Sequence, residues 1–183
     1  GLNPSTTYTF YIKAKDAAGN TSNQSNTATG TTTENTGGGG NNNNTTCGTE
    51  NFEGISGTPN TYETINWTST GITWTATDSR SDQTINNKAI TVRNGKLSSS
   101  PISGGIGSLT VTTQLKFSGT NGSFKLFING VEKGTIPYSD TVTTTTISNI
   151  NVSGNVTISI QNNSTTSNRV AFDDLSWTCY NDL

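Results

Sequence analysis

The chain has two cysteines, Cys47 and Cys179, at opposite ends of its final segment. With no third thiol, they can form only one intramolecular bond, and joining them requires the first and last strands of that segment to be neighbours. Such a bond is expected in a secreted protein, and closing so long a loop stabilises by about 5 kcal/mol at most in the chain-entropy model. The ends it would join carry an electrostatic problem. In "VAFDDLSWTC", Val170 to Cys179, strand alternation puts Val170, Phe172 and Asp174 on one face and Ala171, Asp173, Leu175 and Trp177 on the other. Both faces hold apolar groups, so at least one carboxylate sits beside a core, where an unpaired charge costs several kcal/mol. "CGTENFEG" places Glu53 just after the first strand, where the disulfide would bring it to Asp173 and Asp174. Three converging carboxylates repel unless a cation joins them, and hard oxygen ligands without His or a free thiol suit Ca²⁺. Glu53, Asp173 and Asp174 are therefore the candidate metal ligands. Salt bridges to Arg169 or Arg80, or solvation of one Asp at a strand edge, are the alternatives.

Hydrophobic residues make up 28% of the chain and charged residues 12%. The balance is Thr and Ser with turn-forming Asn and Gly, which reads as all-β. The chain has no run of about 18 apolar residues, so no membrane span is expected. No signal peptide is visible, as in a mature or excised fragment. Net charge is −2, from ten basic and twelve acidic residues, a poor footprint for nucleic acid. The absence of His removes the Ser-His-Asp arrangement and the usual zinc ligands, so an enzyme would need a carboxylate or Tyr mechanism, and the chain is read as a non-enzyme.

Three segments follow in order. In residues 1–33, Tyr8, Phe10, Ile12 and Ala14 alternate with polar residues as a half-buried strand, "DAAGN" is a turn, and a weaker strand falls near Asn26–Thr32. Leu2-x-Pro4-x-x-x-Tyr8 resembles the tyrosine corner of fibronectin type III domains, and the hairpin after it resembles the last hairpin of that family. The resemblance covers the final third of such a domain, and two strands cannot bury that apolar face alone. Residues 34–46, "ENTGGGGNNNNTT", read as a flexible linker reaching about 20 Å. Residues 47–183 hold about nine expected strands: Tyr62–Ser69, Ile72–Thr77, Ala89–Arg93, Ser108–Phe117, Ser123–Ile128, Val131–Ile136, Thr141–Ile150, Val156–Gln161 and Arg169–Trp177. Leu109, Val111, Leu115 and Phe117 share one face, and Asn129-Gly130 marks a hairpin. The expected fold is a two-sheet jelly-roll β-sandwich.

An initial "NFE" and a terminal "VAFDDLSW" resemble the MAM and cleaved-adhesin group of jelly-roll modules, which implies that the early Glu and late Asp pair help bind structural calcium. The long stretch from "GITWTATDSRSDQ" to "QLKFSG", with "GTIPYS" and "VSGNVTISI", resembles an accessory module of secreted Bacteroidota enzymes, found beside fibronectin type III repeats and type IX secretion signals. That resemblance implies a non-catalytic attachment role on a secreted or cell-surface protein, with the parent catalytic domain in the same full-length chain.

Sugars are gripped by aromatic rings and planar polar side chains. Tyr62, Trp67, Trp74, Arg80, Asp82, Arg93 and Tyr138 are the candidate carbohydrate-binding residues. For any single Trp the core is the commoner destination, and Trp177 is assigned there; Arg80 in "DSRSD" could equally lock its loop by salt bridges. Three readings stand: a carbohydrate-binding module tethering an enzyme to polysaccharide; a nucleic-acid-holding module, which would need Lys88, Arg93, Lys96 and Lys116 on one face; and a structural or adhesive surface module.

Overall fold

The computed structural model describes residues 6–32 and 45–181, in two compact units comprising residues 1–41 and 42–183. In the first, β1 (Thr7–Phe10) and β2 (Ala28–Thr31) pair antiparallel, with Tyr8 opposite Gly30. The expected longer strand stops at Phe10, and two strands leave Ile12 76% exposed. Leu2 and Pro4 of the tyrosine-corner pattern lie outside the described residues, as does the linker from 34 to 44.

The second unit is all-β. Its strands are β3 (Thr46–Glu50), β4 (Glu63–Ser69), β5 (Ile72–Arg80), β6 (Ile90–Val92), β7 (Leu97–Ser99), β8 (Leu109–Lys116), β9 (Gly122–Ile128), β10 (Val131–Tyr138), β11 (Thr143–Ile147), β12 (Ile158–Gln161) and β13 (Arg169–Thr178). All nine expected strands are present with shifted ends, and β3 and β7 are added, β7 being too short to show alternation in sequence. No helix among the described residues is long and apolar enough to cross a membrane.

Hydrogen bonding runs β10-β9-β12-β7-β5-β6-β13-β8-β11, with β4 on β5 and β3 on β13. The path folds over at β5, whose first half pairs with β7 and whose last residues pair with β6. Asp78, at φ 47°, makes the bend between them. Two layers result, a jelly-roll sandwich whose inner faces meet in one core. Phe124 of β9 meets Phe172 of β13 edge-on at 5.1 Å, and Trp74 of β5 meets Trp177 of β13 at 6.2 Å. The Asn129-Gly130 turn is as expected, with both residues at positive φ.

Cys47 and Cys179 are bonded, with Cα atoms 5.0 Å apart, and β3 pairs with β13, with Glu50 opposite Leu175. Gly48 lies under the Trp177 ring, where a Cβ would come within 2.0 Å of Cζ2.

β13 resolves its two-faced pattern with a bulge. Register shifts between Asp173 and Ser176, and Asp174 sits at φ 49°. Alternation reverses there, so Val170, Phe172, Leu175 and Trp177 all enter the same core. Another positive φ, 63° at Phe117, corrects another expectation: Phe117 leaves the Leu109/Val111/Leu115 face and is 50% exposed.

Because the disulfide joins strands that are already paired, its effect falls on the unfolded chain. Replacing both cysteines with Ser should lower denaturant-derived stability by up to about 5 kcal/mol while the native spectrum persists. A loss below about 1 kcal/mol would show that the bond contributes little to folding.

Candidate functional site

The structure separates the expected sugar-binding residues into two groups. Trp67 and Trp74 are corrections. Thr70 and Gly71, both at positive φ, form a two-residue hairpin turn that sets Trp67 opposite Trp74. Directly opposed residues share a face, and here it is the inner one: Trp74 is fully buried and Trp67 packs on Phe52 at 5.8 Å. Reading "TSTG" as a two-residue turn at Thr70-Gly71 would have fixed that register. Tyr138 is the third correction. It lies in β10, not a loop, and is 2% exposed against Phe124.

Tyr62, Arg80, Asp82 and Arg93 do come together. The Arg93 guanidinium lies over the Tyr62 ring at 4.1 Å, and Arg80 lies over the same ring at 5.5 Å. Arg80 is also 5.2 Å from the exposed Phe117 ring, and Arg169 is 4.6 Å from it. Guanidinium, ring, guanidinium, ring and guanidinium thus alternate across ends of β5, β8 and β13. Each contact is worth about 0.5–1 kcal/mol when exposed and more when desolvated. Phe117 and Arg169 were missed as members of this site because the turn at Phe117 breaks the strand pattern that placed it in the core.

Carboxylates pin two of the three cations. Arg93 donates through Nε and Nη2 to Asp78 at 3.1 and 2.8 Å, and Asp78 Oδ2 also accepts the Asn94 N–H at 2.8 Å. Arg80 donates through Nε and Nη2 to Asp82, both at 2.6 Å, so its fork holds the loop. These hydrogen bonds from Arg93 and Arg80 hold the Asp78 and Asp82 carboxyls below their usual range. Burial raises the Tyr62 phenol, with Arg80, Arg169 and Arg93 opposing it.

Beside this ladder is an open depression of about 400 Å³ lined by Tyr62, Asp78, Arg93, Asn94, Thr166, Ser167 and Arg169. A second, of about 450 Å³, shares Asn94 and Thr166 and adds Thr77, Lys96 and Gln161. A buried polar hub fixes the floor. Tyr138 Oη donates to Asn163 Oδ1 at 2.5 Å and accepts from Asn168 Nδ2 at 3.1 Å. Asn163 Nδ2 donates to the Arg93 carbonyl at 2.7 Å. Tyr138 therefore positions Arg93 and the 163–168 loop from below.

At the other edge, Glu53, Asp173 and Asp174 meet one segment rather than one cation. The Lys88 N–H donates to Glu53 Oε1 at 2.8 Å, and the Asn86 N–H to Asp173 Oδ2 at 3.1 Å. Asn86 Nδ2 donates to Asp174 Oδ2, and the Asp174 N–H to Asp173 Oδ1 at 2.8 Å. Among the described residues no three of Asp, Glu, Cys and His are grouped to hold a metal ion, which corrects the expected triad. Burial under this segment raises the Asp173 carboxyl. Glu50, missed in the sequence, is the other buried acid. Its Oε1 accepts the Phe52 N–H at 2.6 Å, while its Oε2 has no hydrogen-bond partner.

No family model and no curated protein match the chain. Solved structures do. A family 36 carbohydrate-binding module in complex with calcium and xylotriose is 15% identical, over 72% of this chain and 99% of that chain, at a TM-score of 0.49. The CBM36-1 domain of a multidomain xylanase from the hindgut metagenome of Trinervitermes trinervoides is 17% identical, over 68% and 96%, at 0.48. The CBM22-1 xylan-binding domain of Paenibacillus barcinonensis Xyn10C is 9% identical, over 75% and 96%, at 0.49.

The acids at the two edges should respond oppositely to pH. Asp78 and Asp82 have lowered folded values, so their stabilisation is present above the unfolded carboxyl range, near 3.8, and is lost as pH falls through the folded values. Asp173 has a raised folded value, so proton uptake there favours the fold as pH falls. Melting temperature against pH should show a gain that Asp173→Asn removes, then an acid loss that Asp78→Asn reduces. An unaltered acid limb in Asp78→Asn would mean the Arg93 pair is not coupled to folding.

Proposed function

We propose that the final unit is a non-catalytic carbohydrate-binding module, with the depression beside the Arg93–Tyr62–Arg80 ladder as its site. The observation that carries this reading is the ladder itself: planar guanidinia stacked on rings, fixed by carboxylates, at the edge of an open cleft lined by amide and hydroxyl groups. Guanidinium and amide N–H groups donate to sugar hydroxyls, and Asp78 accepts from them. Rigid stacking and the hub beneath Arg93 hold these groups in place before binding, which limits the entropy lost on association. The module would hold a catalytic domain of the same full-length chain at polysaccharide, outside the cell, where its disulfide is maintained.

A nucleic-acid role gains no support. Lys88 Nζ donates to the carbonyls of Ile55 and Gly57 at 2.5 and 3.0 Å, Lys116 Nζ to that of Thr84 at 2.5 Å, and Arg93 pairs with Asp78. Three of the four cations that would have to share a phosphate-binding face are occupied within the fold.

Structural Ca²⁺ at the acidic edge is part of this proposal. The unpartnered Glu50 Oε2 and the buried Asp173 are hard oxygen ligands on paired strands. Glu50 shares the inner face with Leu175 while Asp173 faces the other side, so the ion would neutralise Glu50.

Affinity electrophoresis against neutral and acidic polysaccharides tests the binding reading. We expect retardation, weakened about tenfold or more by Arg93→Ala through lost charge-assisted hydrogen bonds. Trp67→Ala should instead cost about 3–5 kcal/mol of stability. No retardation by any polysaccharide would overturn the reading. For the ion, EDTA should lower the melting temperature of the native protein and leave Glu50→Gln unchanged; a native curve indifferent to chelation would remove Ca²⁺.

A further inference from the structure

The charges around the cleft do not cancel. Arg93 is matched by Asp78 and Arg80 by Asp82, but Arg169 has no carboxylate partner among the described residues. Its Nη2 donates to the Ser118 carbonyl at 3.2 Å, and its Nε–H is shielded from solvent with no acceptor. Across the sheet it stands opposite Lys116, another cation. Like charges directly opposed on neighbouring strands are destabilising. The adjoining depression adds Lys96, which also has no carboxylate partner among the described residues.

We infer that the depression binds an acidic saccharide, with Arg169 receiving a carboxylate or sulfate oxygen on the sugar. This rests on the carbohydrate-binding reading and names its substrate class. A guanidinium presents a planar fork that matches such a group in two parallel hydrogen bonds. The acceptor would meet the terminal N–H groups of the guanidinium and offset the Arg169–Lys116 repulsion. Thr166, Ser167 and Asn94 line the same depression and offer hydroxyl and amide groups to the rest of the sugar ring. Stacking on Phe117 holds the Arg169 guanidinium ready, so little side-chain freedom is lost on binding.

The test is affinity electrophoresis of the full chain in gels containing polygalacturonate, chondroitin sulfate, neutral galactomannan or duplex DNA. The variants are Arg169→Gln and Ser167→Glu; Ser167 is exposed, so a carboxylate there leaves the core untouched. We expect retardation by polygalacturonate or chondroitin sulfate, the responding gel identifying carboxylate or sulfate. Both variants should reduce it tenfold or more, with melting curves confirming that they fold. Retardation by galactomannan alone, or acidic-gel retardation indifferent to both variants, would overturn the inference and leave the carbohydrate reading standing. No retardation by any saccharide would overturn both. Retardation by DNA alone would assign the cations to phosphate and overturn both.

Discussion

A strand that must serve one core cannot change face without a break in its backbone, and β13 changes face at Asp174. The bulge there lets Val170 and Phe172 enter the core on even positions and Leu175 and Trp177 on odd ones. Around this strand the layer assembles: β3 and β8 flank its second half, and β6 and β8 its first. The same break turns Asp174 outward and leaves Asp173 on the outer face, where the Asn86 N–H reaches it. The ladder also depends on this strand, since Arg169 opens it. Core, acidic edge and cleft are therefore coupled through ten residues.

Buried polar groups divide into those that are satisfied and those that are not, and the charged ones left unsatisfied lie at the edges of the sandwich. Tyr138, Asn163 and Asn168 satisfy one another and the backbone around them, an interior network that fixes loops. Among the buried atoms without a partner, Glu50 Oε2 and Arg169 Nε belong to ionisable side chains, one at each edge of the sandwich. An unmet buried donor or acceptor costs about 1–3 kcal/mol.

Much of the fold was legible because short-range rules governed it. The strand at Ser123–Ile128, the Asn129-Gly130 turn and the Cys47–Cys179 pairing each follow from local spacing or from the lack of any other partner. Less of the site was legible. Trp67, Trp74 and Tyr138 have the composition of a sugar platform, yet register and packing turn them inward. Phe117 reads as core and is exposed, because one positive φ ends its alternation. Tyr62, Arg80, Asp82 and Arg93 were identified by chemistry, but their stacking order spans loops distant in sequence.

By itself the sequence determined an all-β sandwich closed by one disulfide, because two thiols allow one bond and period-two patterning allows little besides strands. It also put Glu53, Asp173 and Asp174 on the segments that follow the first strand and form the last. Only the tertiary structure decided that amide N–H groups would receive Glu53, Asp173 and Asp174, and that Arg169 would end a ladder without a carboxylate. Those outcomes depend on bulges, turns and the segment folded over β13, where a single backbone angle changes which side chains meet.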